Sequence, residues 1–185
     1  LGGPMPHVEV KIIDPATGAT LPVGQIGEYC TRGYHVMHGY FDMPEATAAA
    51  IDADGWLHTG DLCAMDERGY CTVEGRLKDM IIRGGENIYP RELEELLFRH
   101  PSVGSVAVVG LPDAKWGEEV AAFLRPAPGA VIDKAELIDY MRQHLAPHKT
   151  PRRWFSVAEF PLTGSGKIQK FKLRALQQAG QVPEL

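Results

Sequence analysis

The chain has 185 residues and a formal net charge of −5, with 19 Lys+Arg against 24 Asp+Glu. Apolar residues make up 44% and charged residues 23%, a balance that excludes collagen-like, coiled-coil and wholly disordered chains. No apolar run reaches the roughly 18–20 residues of a membrane-spanning helix. The three cysteines (Cys30, Cys63 and Cys71) form no CxxC pair, which argues against a disulfide framework or zinc knuckle and predicts a reducing, cytoplasmic setting. The opening Leu-Gly-Gly-Pro lacks a charged-then-apolar leader, so no signal or transit peptide is expected. Its abrupt start suggests part of a longer protein.

Residues 1–75 predict short strands and turns. Val8–Ile13 partly alternates, Asp14-Pro-Ala-Thr-Gly18 is a turn cluster, and Gln25–Arg32 forms the next strand. A short helix is expected over Pro44–Ile51, with Pro44 suited to its first turn. Asp52-Ala-Asp-Gly55 turns into strands near Leu62–Ala64 and Tyr70–Val73. With no βαβ crossover pattern, an antiparallel β subdomain over residues 1–77 is predicted.

The texture then changes, and residues 78–185 predict a compact α+β domain, a mixed sheet with flanking helices. Met80–Arg83 forms a strand ended by Gly84-Gly85. Pro90 opens a helix with Leu93, Leu96 and Leu97 inward and Glu92, Glu94 and Glu95 outward. Val103–Val109 is expected as a central strand, with Val120–Leu124 another. Asp133 and Glu136 resemble a capping box before a helix striped by Leu137, Ile138, Met141 and Leu145.

Charge is uneven. Residues 1–66 carry nine acids against two bases, whereas residues 149–174 carry Lys149, Arg152, Arg153, Lys167, Lys170, Lys172 and Arg174 against Glu159 alone. This tail reads equally as a solvated surface or as an anion site for phosphate or a nucleotide. Sparse aromatics argue against nucleic acid.

Thr163-Gly-Ser-Gly-Lys167 fails the Walker A pattern twice, because Pro161 and Ile168 stand where Gly and Ser/Thr are needed. What remains is a Lys on a freely mobile Gly loop, able to reach an anion. Asp61 follows a Gly turn at the start of a strand; its carboxylate either accepts from a ribose diol or caps the turn. Arg76 suits ribose, phosphate or an interdomain salt bridge. Gly84-Gly85 is either a plain turn or a place where backbone lies close to a ligand. His35 and His38 lack a third ligand, so no metal site is expected.

The order and spacing of these segments are more telling than any one of them. Gly39-Tyr40 with Pro44-Glu-Ala-Thr47, then Thr59-Gly-Asp61, Gly75-Arg76, Gly84–Glu94 and Gly164-Ser-Gly-Lys167 closely resemble the adenylate-forming superfamily. The resemblance runs from Gly3-Pro4 to Leu173-Arg174 and is nearest to the fatty-acyl and aromatic-acid CoA ligase branch. It implies an AMP-forming acid–CoA ligase: a carboxylic acid and ATP give an acyl-adenylate and pyrophosphate, then CoA gives the thioester and AMP. It implies Asp61 and Arg76 at the ribose hydroxyls, Val73 beside the nucleotide, and Lys167 as the catalytic lysine. Gly84 and Gly85 would line the CoA tunnel. Lys78 falls at the hinge, where many CoA ligases have Asp while luciferases and some ligases have Lys. The family's phosphate loop, its Glu that assists Mg and its acyl pocket belong to a region upstream of these residues. The chain is thus expected to be the C-terminal part of the enzyme and inactive by itself. Alternatives are an adenylation domain serving a carrier protein and a non-catalytic α+β binding module.

Overall fold

The computed structural model describes residues 2–185. The chain divides into two compact units, the first ending at Lys78 and the second running from Asp79 to Leu185.

The first unit is a four-stranded antiparallel meander: β1 (Glu9–Ile13), β2 (Ile26–Arg32), β3 (Leu57–Met65) and β4 (Cys71–Arg76), hydrogen-bonded in that order. Its turns follow local chemistry. Asp52 Oδ1 accepts the backbone N–H groups of Asp54 and Trp56 at 3.0 and 2.8 Å, closing the turn into β3. Those bonds hold the Asp52 carboxyl below its usual range. Helix α1 (Pro44–Ala50) starts with Pro44 in its first turn. Ile12, Ile13, Cys30, Leu62, Cys63 and Cys71 are buried.

The second unit is α+β. Its sheet runs β6 (Glu86–Ile88), β5 (Ile81–Arg83), β8 (Gly117–Pro126), β7 (Val103–Asp113), and β9 (Arg153–Ser156) joins β8 in parallel. The period-two alternation of β-strands sorts side chains onto two faces. Val106, Val108, Val120, Ala122 and Leu124 join one cluster with Leu93 and Leu97 of α2 (Pro90–Phe98) and Leu137 and Met141 of α3 (Lys134–His144). Ala107, Val109, Ala121 and Phe123 join the other with Phe155 and Leu173 of α4 (Lys170–Gln178). Phe123 stacks on Phe155 with centroids 4.7 Å apart. Trp154, fully buried, donates its indole N–H to Pro151 O at 2.8 Å, so its one polar atom is satisfied.

Three local expectations are corrected. The central strand is β8, flanked by β7 on one side and by β5 and β9 on the other; Val103–Val109 lies in β7, which pairs with β8 alone. The apolar run misled because β7 is covered on both faces although it is an edge. Its exposed edge is blunted by side chains: Glu94 Oε1 accepts Val108 N–H at 2.7 Å, and Arg174 Nε donates to Gly110 O at 3.1 Å. Glu94 is therefore not an outer residue of α2. The capping box is half made: Asp133 Oδ1 accepts from Ala135 and Glu136 N–H, but the Glu136 carboxylate faces His100 Nε2 at 3.5 Å.

Candidate functional site

In the first unit, Asp61 and Arg76 are directly opposed residues of β3 and β4. Arg76 Nε lies 2.8 Å from Asp61 Oδ1, with the side chains 51% and 31% exposed. Asp61 stands in the middle of β3 rather than at its start. The preceding Gly60 takes φ +68°, and its N–H is held by Glu28 Oε1 at 3.0 Å. Asp61 N–H donates to Thr59 Oγ1 at 3.1 Å, and that hydroxyl donates to Tyr29 O at 2.7 Å. The backbone under Asp61 is thus fixed from both sides, while its carboxylate and the guanidinium reach solvent together. Such a pair presents acceptors and donors side by side, which suits a diol. Val73, half-buried on β4, is the register partner of Cys63.

The Gly39-Tyr40 and Pro44–Thr47 segment has a structural use. Thr47 Oγ1 accepts Tyr40 N–H and donates to Met43 O, both at 2.9 Å, tying the loop to α1. Exposed Lys78 is the last residue of the first unit and sits in a 3₁₀ turn, Leu77–Asp79.

In the second unit, Gly84 and Gly85 are the two central residues of the β5–β6 hairpin, with Arg83 paired to Glu86. Their φ values, +59° and +87°, meet the requirement of a type I′ turn for positive φ at both positions. Gly84 has a second reason: a Cβ there would come 2.8 Å from the Trp116 ring, and its N–H donates to Trp116 O at 2.8 Å. A Cβ on Gly85 would meet nothing within 4 Å. The turn holds Gly84 against the fold and presents Gly85 outward.

Lys167 closes a tight turn rather than riding a slack loop. Thr163 N–H donates to Lys167 O at 2.8 Å, Gly166 N–H to Thr163 O at 2.9 Å, and Lys167 N–H to Thr163 Oγ1 at 3.0 Å. The side chain of Lys167 remains exposed. Its basic neighbours are mostly committed. Lys149 binds Glu92 at 2.6 Å, Lys170 binds Glu94 at 2.7 Å, and Arg153 grips Glu184 with two bonds of 2.9 Å. Arg152 lies 3.8 Å from Glu119, and Arg174 holds Gly110 O. Among the described residues, Lys167 and Lys172 alone of the seven make no salt bridge or side-chain hydrogen bond. The basic tail is therefore chiefly structural ties, with Lys167 as an unspent cation on a rigid turn.

Sequence reasoning missed one cluster. Glu28, Cys30 and His58 bring a carboxylate, a thiol and an imidazole within 4.8 Å of one another. The signal was present as Glu28-x-Cys30 on one face of a strand, but nothing in sequence spacing joined it to His58. His35, by contrast, is bonded to Thr31 Oγ1 at 2.9 Å.

Family comparisons agree with this layout. Residues 92–167 match the AMP-binding enzyme C-terminal domain and residues 1–41 match the AMP-binding enzyme family, together more than half of the chain. The chain is 56% identical over 173 residues to the putative acyl-CoA synthetase YngI of Bacillus subtilis (strain 168), covering 94% of this chain and 32% of that protein. It is 47% identical over 174 residues to the mitochondrial medium-chain acyl-CoA ligase ACSF2 of Bos taurus, covering 94% and 28%. The chain thus spans about a third of the length of these relatives. Among solved structures, ATP-bound MatB from Rhodopseudomonas palustris superposes with a TM-score of 0.90 at 39% identity, covering 98% of this chain and 36% of that one. The o-succinylbenzoate CoA synthetase MenE of Bacillus subtilis, in complex with the acyl-adenylate intermediate OSB-AMP, gives 0.85 at 36%, covering 92% and 34%. With both family models matched in order and the fold shared with nucleotide-bound relatives, the chain belongs to the AMP-binding, adenylate-forming enzyme family.

Proposed function

We propose that this chain is the C-terminal part of an ATP-dependent, AMP-forming acyl-CoA synthetase. In that reading a carboxylic acid attacks the α-phosphorus of ATP, pyrophosphate leaves, and the CoA thiol then displaces AMP from the acyl-adenylate. Asp61 and Arg76 bind the ribose hydroxyls, with Val73 packing beside the nucleotide. Lys167 meets the charge that builds on the carboxylate and α-phosphate oxygens during adenylation. Lys78 is the hinge about which the second unit turns between half-reactions. Gly85, with Gly84 behind it, leaves room for the pantetheine arm. Mg is assigned to residues outside this chain. The buried thiols suit a cytoplasmic, reducing setting. No helix among the described residues is long and apolar enough to cross a membrane.

The observation that carries this reading is the exposed Lys167, without a salt bridge in a segment whose other bases are almost all engaged. A structural lysine there would resemble Lys149 or Lys170. The test is Lys167→Ala in the protein that joins this chain to the upstream region its relatives carry. Carboxylate-dependent exchange of pyrophosphate into ATP should fall by about 10²–10³ or more, the cost of losing one preorganised charge-stabilising group. Thioester formation from a supplied acyl-adenylate should survive. Equal loss of both half-reactions would refute the assignment.

A further inference from the structure

Apart from the nucleotide reading, the first unit carries a donor set that neither the adenylation nor the thioester chemistry uses. Cys30 and His58 are direct cross-strand partners of β2 and β3, and a register shift between Glu28 and Cys30 brings Glu28 to the same ring. Cys30 Sγ lies 3.6 Å from His58 Nδ1, and Glu28 Oε2 lies 3.0 Å from that nitrogen. A tetrahedral centre with metal–sulfur and metal–nitrogen bonds of about 2.3 and 2.0–2.1 Å places its S and N donors about 3.5 Å apart. The observed Sγ–Nδ1 separation needs almost no adjustment, the Oε2–Nδ1 separation must open by a few tenths of an ångström, and Oε2 lies within 4.8 Å of the sulfur.

The groups behind these donors are arranged as a metal site requires. Glu28 Oε1 is already held by Gly60 N–H at 3.0 Å, leaving Oε2 to point at the cluster. Asp52 Oδ2 lies 3.7 Å from His58 Nε2, the ring nitrogen facing away from the thiol, an ion-pair distance from which a small shift brings the carboxylate into hydrogen-bond reach. A carboxylate behind the distal nitrogen of a ligating imidazole fixes its tautomer and raises its basicity. Cys30 is fully buried and Glu28 nearly so, whereas the His58 side chain is 32% exposed, which leaves an entry path on the imidazole side.

We propose that Glu28, Cys30 and His58 form a binding site for a borderline divalent cation of the Zn²⁺ class. The ligands are Glu28 Oε2, Cys30 Sγ and His58 Nδ1, and water completes a tetrahedron. Two anionic ligands neutralise the ion. On binding, the Cys30 thiol releases one proton to solvent as the S–metal bond forms. The hydrogen bond that joins His58 Nδ1 to Glu28 Oε2 at 3.0 Å in the metal-free chain is given up on binding: the ring proton moves through solvent from Nδ1 to Nε2, on the Asp52 side, and the freed Nδ1 lone pair takes the metal. A thiolate with an imidazole and a single carboxylate selects Zn²⁺ or Co²⁺ over Mg²⁺ or Ca²⁺, which prefer all-oxygen shells.

Co²⁺ is the probe, added to the chain under reducing conditions. A near-ultraviolet thiolate-to-cobalt band and the visible bands of a tetrahedral centre should appear at one equivalent. Cys30→Ser should abolish the thiolate band, while Cys63→Ser and Cys71→Ser retain it. Asp52→Asn should weaken binding about 10–100-fold, as loss of an outer carboxylate does. Because Cys30→Ser lies in the core, zinc-edge X-ray absorption on the unsubstituted chain gives a second reading. One sulfur at about 2.3 Å with nitrogen and oxygen at about 2.0–2.1 Å supports the site. A shell without sulfur, no cobalt bands, or bands that persist in Cys30→Ser overturn it.

Discussion

Gly84→Ala should destabilise the second unit much more than Gly85→Ala, although the two glycines are adjacent and share one turn. Both hold positive φ, +59° and +87°, so an added Cβ costs each about 1–2 kcal/mol of left-handed backbone strain. Only at position 84 does the Cβ also collide with an indole, 2.8 Å from Trp116 Cε3 and 3.1 Å from Cζ3. Trp116 cannot simply swing away: its backbone accepts Gly84 N–H, and Arg83 and Lys115 lie over its ring at 4.9 and 4.6 Å. Overpacking of this kind adds about 1–3 kcal/mol. The expected totals are about 2–5 kcal/mol for Gly84→Ala and about 1–2 kcal/mol for Gly85→Ala. Urea unfolding followed by tryptophan fluorescence measures both, in a Trp56→Phe background so that Trp116 and Trp154 report on the second unit alone. Trp116→Ala combined with Gly84→Ala should recover the overpacking part, an interaction energy of about 1–3 kcal/mol. Equal costs at the two positions, or no recovery, would show that the indole does not hold the turn in place.

Two further outcomes follow from the same unit. Glu119→Ala should cost about 3–5 kcal/mol, because it strands Arg83, whose side chain is only 8% exposed and which makes bonds of 2.7 and 3.1 Å to that carboxylate. Arg83→Met with Glu119→Leu should restore most of the loss in the same urea titration; failure to do so would assign the cost to packing. Asp113 Oδ1 accepts the N–H groups of Trp116 and Lys115 at 2.8 and 2.9 Å, and these bonds hold its carboxyl below the usual aspartate range. A lowered carboxylate contributes stability that is complete above its unfolded value and lost as pH falls through the folded one. Asp113→Asn should therefore lower the urea midpoint in the neutral range and flatten its decline below about pH 4, so that the two proteins converge in acid.

What could be read from the sequence divides along a physical line. Local chemistry was legible. Pro44 and Pro90 open helices, Asp133 caps one, and the Leu93, Leu96 and Leu97 stripe is buried, because each depends on residues within one or two turns. Ordered motifs were legible through resemblance, which brought together Asp61 and Arg76, the pair that meets at 2.8 Å across β3 and β4. Non-local pairing was not. A β-branched run covered on both faces looks central whether or not a second strand flanks it, so β7 was expected at the centre that β8 holds. The acids of α2 looked like a solvated face because nothing adjacent in sequence says that Lys149 and Lys170, tens of residues away, return to meet Glu92 and Glu94.

The basic tail makes the same point about function. A charge count over residues 149–174 treats seven cations alike, and an anion site spread over several of them was a fair expectation. Folding discriminates among them. Lys149, Lys170, Arg153 and Arg174 fasten helices, an edge strand and the C-terminal segment. Each is held in place by a partner that a ligand anion would have to displace. Lys167 has a hydrogen-bonded turn beneath it and no such partner. The structure leaves two cations of this segment with an uncommitted head: Lys172 on helix α4 and Lys167 on its hydrogen-bonded turn, of which only Lys167 lies in the glycine-flanked segment Gly164-Ser-Gly-Lys167.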